Sequence, residues 1–455
     1  MRQASMAGAP ILQRLGTRQR VLLLQGPMGP FFEHLAVFLQ EHGKQVLKVN
    51  FNAGDEWFYR QPNAIAFKGA PSEWTGFFEQ LLIQHRIDAV VLFGDCRGYH
   101  RSAVVRAKLR GVEVFVFEEG YVRPSYVTFE RGGVNAFSAA MHVALDNARP
   151  PPAEHKKFSN PFAKMAWFSA QYYLQARLGR KRFELYRHHK PFDLYPEAWY
   201  WLRAGLRKQW YRFSESGIGQ RLVHEKRKQF FLVPLQVFND SQVREHSDYR
   251  SVRDFIAEVM RSFARSAPAD VLLVIKQHPM DRGHKNYRQQ IAHLTQALGL
   301  GERVLYIHDQ YLPSLLKAAL GTVVINSTVG LSSLFHGTPV KTMGRAIYAL
   351  PGLAFEGDLD AFWHQPKAPA KALVQQFRNC LVQRTQVAGS FYSGKRLALH
   401  EPASVIPAPP AKVGTPGAAP RSPGPAASQL PGQKPAGPER GVIPEPAHDL
   451  EKNEN

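Results

Sequence analysis

Cysteine is nearly absent from this chain: 455 residues include two, Cys96 and Cys380, with no CxxC spacing. That excludes a disulfide framework and a structural zinc site, and it suits a reducing compartment. Long apolar runs are also missing. No stretch approaches the roughly 18 to 20 apolar residues of a membrane span, and Ala7 to Arg20 is too mixed for the apolar region of a signal peptide. Acidic residues are in deficit, 37 Asp and Glu against 58 Lys and Arg, for a formal net charge of +21. The deficit favours anionic partners, whether nucleic acid, an acidic membrane surface or negatively charged sugars. Nucleic acid has no further support, because no basic recognition helix, RRM or zinc-finger pattern occurs. No metal-ligand spacing is present, so neither a metal nor a cofactor is expected.

What is present is alternation. Short apolar runs at Val21–Leu24, Gln45–Asn50, Ala89–Phe93 and Val112–Phe117 read as strands. Helical stretches at Phe31–Gly43, Trp74–His85 and His100–Leu109 separate them, which predicts parallel βαβ units. Residues 151–224 break the pattern with a basic, aromatic insert containing Trp167, Tyr172, Tyr173, Trp199, Tyr200, Trp201, Trp210 and Tyr211. Helices are expected there over Phe162–Leu178 and Pro196–Phe213. The insert reads either as a membrane-facing element or as the core of a helical pair linking two domains. The α/β pattern resumes from Gln229 to about Gln386. Residues 1–18 read as a flexible leader and 401–455, rich in Pro, Ala and Gly, as a disordered tail. The domains are therefore expected at 19–150 and 225–400.

Three apolar runs end in polar clusters. Phe230–Val233 leads into Pro234, Gln236, Asn239, Asp240 and Ser241; Val271–Ile275 leads into Lys276, Gln277, His278 and Pro279; Thr322–Ile325 leads into Asn326, Ser327 and Thr328. Ligands of open α/β sheets sit outside the carboxyl ends of strands, so one shared crevice is expected. Asp240 reads as a nucleophile or charge stabiliser in preference to an N-cap, because the helix expected at Val252–Phe263 starts too late for it to cap. Lys276 and His278 suit a phosphate, and Ser327 and Thr328 at a helix start suit an anion. In the first domain, Gln25 and Gly26 open a glycine-rich turn before a helix, which either presents N–H groups to a ligand or is simply a tight turn. Glu118 and Glu119, followed by Gly120 and Arg123, end a strand and suit acid/base work; an acidic loop with a structural Glu–Arg pair is the alternative. Asp95 and Arg97 would lie close by if strand order is local.

Four of these motifs, in order, resemble the capsule polysaccharide biosynthesis/export family of the KpsS/LipB type: EEGYVRP at 118–124, PLQVFNDSQ at 234–242, KQHP at 276–279 and NSTVGLSSLFHGTPV at 326–340. The family is similar to β-Kdo glycosyltransferases. The resemblance implies a GT-B-like architecture, with 19–150 as a Rossmann-like acceptor domain and 225–400 as a Rossmann-like nucleotide-sugar domain. It implies a retaining transfer from CMP-Kdo that starts a poly-Kdo linker on a (lyso)phosphatidylglycerol-type anchor, at the cytoplasmic side of the inner membrane. Asp240 would be the nucleophile and Glu118 or Glu119 the base. Gln25, Gly26, Arg123, Gln236, Ser241, Lys276, His278, Pro279, Asn326, Ser327 and Thr328 would bind substrate. Other capsule biosynthesis or export proteins are possible partners. A transferase using another nucleotide sugar, or a non-catalytic capsule assembly scaffold, are the competing readings.

Overall fold

Strand β1 (Arg20–Leu23) is apolar on both sides because both faces of its sheet are covered. Val21 and Leu23 pack with Phe31, Leu35 and Leu39 of the helix Phe31–Glu41, while Leu22 and Leu24 pack with Trp74, Phe78 and Ala103 on the opposite face. The other strands of this first sheet are β2 (Gln45–Asn50), β3 (Ala64–Ala66), β4 (Ala89–Phe93), β5 (Glu113–Glu119) and β6 (Tyr126–Arg131). The second sheet repeats the device with β7 (Phe230–Pro234), β8 (Leu272–Lys276), β9 (Val304–Ile307), β10 (Gly321–Val324) and β11 (Val340–Thr342). Phe231 and Val233 face the helix Val252–Ser266, whose Phe255, Ile256, Val259 and Phe263 recur at helical spacing; Phe230 and Leu232 face Leu315 and Leu316.

A computed structural model of the protein describes residues 9–123, 125–139, 162–188 and 194–392, and these all fall within one compact unit, Met1–Ser404. The parallel strands of the first sheet lie in the order β5-β4-β1-β2-β3 and those of the second in the order β11-β10-β7-β8-β9. Each is the Rossmann order, with a switch point between its first and fourth strands. The architecture is thus GT-B-like, two Rossmann-like halves bearing a helical insert.

Several expectations need correction. The supposed leader contains a helix, Ala9–Leu15, whose Ile11 and Leu15 are buried in the first core. Its Arg14 bonds to the carbonyls of Phe129 and, at 3.0 Å, Gln386. The first sheet is not wholly parallel: β6 runs antiparallel to β5, and a last strand, β12 (Gln386–Ala388), runs antiparallel to β6. The chain therefore returns from the second half to the first, so residues 386–392 do not belong with the second sheet. The helices of the insert are Phe162–Leu178 and Leu194–Ser214. The tail at 401–455 and residues 151–161 and 189–193 of the insert lie outside the described residues. No described helix is long and apolar enough to cross a membrane.

Candidate functional site

At the second switch point, β7 and β10 end side by side and Gln236 joins them. Its amide nitrogen donates to Asn326 Oδ1 at 2.9 Å and to Asp240 Oδ2 at 3.1 Å, while its amide oxygen accepts from the Asn326 backbone N–H at 3.3 Å. Asp240 does cap a helix, a five-residue one, Ser241–Glu245, that lacks the length for a visible period: its Oδ1 accepts from the Gln242 N–H at 2.9 Å. Both carboxylate oxygens are thus held in place, and the side chain remains half-buried. Ser241 is the first residue of that helix. Asn326 is braced further by Nδ2, which donates to the carbonyls of Gln242 and His246.

Lys276 ends β8 and His278 lies just beyond it. Lys276 is buried, and desolvation lowers its ammonium to about 8, with Asp309 and Glu215 opposing the fall. Burial lowers His278 to about 4; the charge of Lys276 adds to this, Asp240 opposes it, and Arg123 from the first half contributes. The imidazole is therefore neutral near pH 7. Its Nδ1 accepts the Met280 N–H at 3.1 Å, so the proton sits on Nε2 as a donor. Pro279 is exposed and starts the turn that His278 caps. Ser327 Oγ accepts from the Val329 N–H at 3.2 Å, and Ser327 and Thr328 are half-buried at the start of the helix Val329–Phe335. Gly330 is obligatory there, because a Cβ would lie 2.1 Å from the Tyr348 hydroxyl.

In the first half, Glu118 and Glu119 end β5 and, as consecutive strand residues, point to opposite faces. Glu118 and Arg97 converge over Gly94, whose φ of +72° favours glycine: both Glu118 Oε2 and Arg97 Nε lie within 4 Å of the place a Cβ would take. Desolvation raises Glu118 to about 7; the charges of Glu119 and Asp95 push the same way, and the Glu119 N–H and Arg97 oppose it. Glu119 instead meets the Tyr392 hydroxyl at 3.4 Å. The neighbouring loop is fixed by Gly120, where a Cβ would come within 2.1 Å of the Tyr126 carbonyl oxygen. Tyr121 and Val122 then plug into an apolar cluster with Leu331, Leu334, Phe377 and Leu381 of the second half. Arg123, exposed and donating to the Gly120 carbonyl at 3.1 Å, is thereby carried toward His278.

Gln25 and Gly26 are placed differently. Gln25 is buried, and its amide nitrogen donates to the hydroxyls of Tyr172 at 2.8 Å and Tyr186 at 3.2 Å and reaches Asp55. Its amide oxygen accepts from Arg97 at 3.0 Å. Both ends of the amide are occupied by protein, so its role is bracing. A Cβ at Gly26 would lie 2.7 Å from the Phe32 ring, and one at Gly29 would lie 2.9 Å from Phe168. The turn is tight because of packing.

The sequence reading missed three groups. His246 is buried at the meeting of the halves, 3.8 Å from Cys96 Sγ, with its ring edge-on to Phe137. Asp281 is fully buried, accepts the Phe238 N–H at 3.0 Å and is raised to about 7 by desolvation. Tyr172 and Tyr186 seal the first switch point. None has a local signal: each owes its position to partners distant in the chain. Among the described residues no cluster of side chains could hold a metal ion.

Two Rossmann-like halves, each with polar side chains at its switch point, have the architecture of open α/β sheets that take ligands outside the carboxyl ends of their strands. The chain belongs to the capsule polysaccharide biosynthesis protein family, whose model matches residues 88–392. It is 43% identical over 379 residues to the capsule polysaccharide export protein KpsS of Escherichia coli, covering 82% of this chain and 97% of that protein. It is 41% identical over 397 residues to the capsule polysaccharide modification protein LipB of Neisseria meningitidis serogroup A, covering 83% and 93%. Among solved structures, the beta Kdo 2,7 transferase KpsC of Thermosulfurimonas dismutans aligns at 16% identity with a TM-score of 0.40, over 74% of this chain and 89% of that one. A role in capsule polysaccharide biosynthesis follows from the family.

Proposed function

We propose that the protein is a retaining β-Kdo transferase that uses CMP-Kdo to start the poly-Kdo linker on a (lyso)phosphatidylglycerol anchor at the cytoplasmic face of the inner membrane. The observation that carries the reading is Glu118: a carboxyl raised to about 7 beside Arg97, in the half that faces Asp240, Lys276 and His278. General bases operate best when their pKa lies near the working pH. The donor brings two anionic groups, the sugar carboxylate and the CMP phosphate, and the cationic Arg123 and Lys276 with the Nε2–H donor of His278 are matched to them.

The reaction is a double displacement. Asp240 attacks the anomeric carbon of Kdo while the bond to the CMP phosphate breaks. Lys276, His278 and the Ser327/Thr328 helix start accommodate the departing phosphate, and Gln236 with the Gln242 N–H orients the attacking carboxylate. The acceptor hydroxyl then gives its proton to Glu118 and its oxygen bonds to the same carbon, releasing Asp240. Two inversions give net retention. The test incubates purified protein with CMP-Kdo and a fluorescent lysophosphatidylglycerol, followed by mass spectrometry. Gain of one Kdo is expected. Binding of CMP without product would sink the acceptor assignment, and failure to bind CMP would sink the donor assignment.

A further inference from the structure

The helix Leu194–Ser214 is turned inside out relative to an ordinary surface helix. Its inner face is largely polar: Arg203 donates to the Gly283 carbonyl, Arg207 to the Arg282 carbonyl at 2.9 Å, and Tyr211 stacks on His308 at 3.6 Å. Gly283 lies so close that a Cβ there would stand 2.2 Å from the Tyr200 carbonyl oxygen. The helix is thus fixed against the second half by that face. Trp199, Leu202, Leu206, Trp210 and Phe213, spaced by three, four, four and three residues, form one stripe on the outside, each between 56% and 80% exposed. Ten of the seventeen exposed large hydrophobic side chains among the described residues lie between Trp167 and Phe213. The concentration is local, where scattered single exposures would need no explanation. From Trp199 to Ser214 the helix has four basic residues and no acidic one, and Lys208 and Arg212 are exposed.

We propose that this helix lies flat on an anionic lipid bilayer, its apolar stripe in the headgroup boundary and Lys208 and Arg212 against the headgroups. The proposal deepens the lipid-acceptor reading above. A stripe of Trp, Leu and Phe beside exposed basic residues, on a stretch with no acid from Trp199 onward, matches an interface that is apolar within and negative at its surface. Tryptophan in particular favours that depth, with an apolar ring and an N–H that needs a polar partner. The helix Phe162–Leu178, attached to the first half, presents Trp167, Leu174 and Leu178 to solvent in the same way.

The experiment is flotation of the full-length protein with phosphatidylcholine vesicles, with or without phosphatidylglycerol. The wild type and a Trp199→Ser/Leu206→Ser/Trp210→Ser variant are compared, with thermal melting as a folding control. The wild type should float with the anionic vesicles and lose binding in high salt. The variant should partition about tenfold more weakly or worse, since three large apolar side chains no longer enter the lipid. Lys208→Glu/Arg212→Glu should remove the preference for phosphatidylglycerol. A variant that floats as well as the wild type overturns the proposal. So does a wild-type oligomer that the variant dissolves, because a second copy would then cover the stripe. CMP-Kdo hydrolysis without vesicles separates the two readings. Lost flotation with hydrolysis intact supports docking, whereas a wild type that floats but never turns over the donor leaves docking standing and removes the Kdo reaction.

Discussion

The two halves share a strand order and finish their switch points in opposite ways. In the first, Gln25, Asn52, Asp55, Tyr172 and Tyr186 close the crevice with one buried hydrogen-bond network, of which Asn52 Nδ2 to the Tyr172 hydroxyl at 2.6 Å is a part. In the second, Asn326, Ser327 and Thr328 remain half-buried, and Gln236 ties the two strand ends together. The same topology therefore serves two ends. The first switch point fixes an inserted helix to its sheet, and the second leaves its polar strand-end side chains half-buried. In the first half the titratable pair lies to one side, Glu118 at the end of β5 and Arg97 after β4.

The comparison can be broken most sharply at Asp240. Asn is as good a helix cap as Asp, so Asp240→Asn should melt close to the wild type while transfer falls by about a thousandfold or more, the loss of a covalent nucleophile. Retained turnover would make capping its whole contribution. Next in size is Glu118→Gln, which should cost about a hundredfold to ten-thousandfold in kcat, the usual range for a general base. Glu119→Gln, on the opposite face beside Tyr392, should cost little; equal losses would undo the choice between them.

The pH profile sharpens the same contrast. Burial holds the Glu118 pKa above its ordinary value, so the basic form accumulates, and kcat/KM climbs, as pH rises through about 7. By the same bias, its contribution to stability is fully present below the ordinary carboxylate pKa and is lost as pH rises through about 7. Lys276 loses its proton above about 8, so donor binding should weaken there. A narrow bell is expected. Glu118→Gln should remove the rising limb, and Lys276→Met the falling one, together with about tenfold of CMP affinity. The smallest effect belongs to the sealed half. Tyr172→Phe removes one hydroxyl from the Gln25 network and should lower stability by about 1 kcal/mol, read as a fall in Tm, with transfer nearly unchanged. A tenfold loss of turnover would make the sealed crevice part of the reaction.

Much of the fold was legible because both faces of each central strand are covered. Runs such as Ala89–Phe93 and Phe230–Pro234 are continuous apolar segments whose bounds need no tertiary information. The insert helix Phe162–Leu178 has the bounds expected of it from the sequence. Strands β6 and β12 were not, because an antiparallel strand is defined by its partner, and the one that β12 pairs with lies over 250 residues away. Of the strand-end polar residues expected to lie together, Gln236, Asn326 and Asp240 are joined by hydrogen bonds. The capping role of Asp240 escaped because one helical turn has no period to read. The partners of Gln25 were not legible, because Tyr172 and Tyr186 come from the insert and buried polar satisfaction is decided by distant chain segments.

The return of β12 to the first sheet bears on how the protein is made. Until Gln386–Ala388 leaves the ribosome, β6 presents an open edge, and the Gln386 side chain that accepts the Tyr121 N–H at 3.0 Å is missing from the loop beside Glu118. The half synthesised first is therefore completed last. It waits through the translation of the whole second sheet with an exposed template for strand addition, and the loop after Glu118 and Glu119 gains its final support only once nearly all of the described chain has emerged.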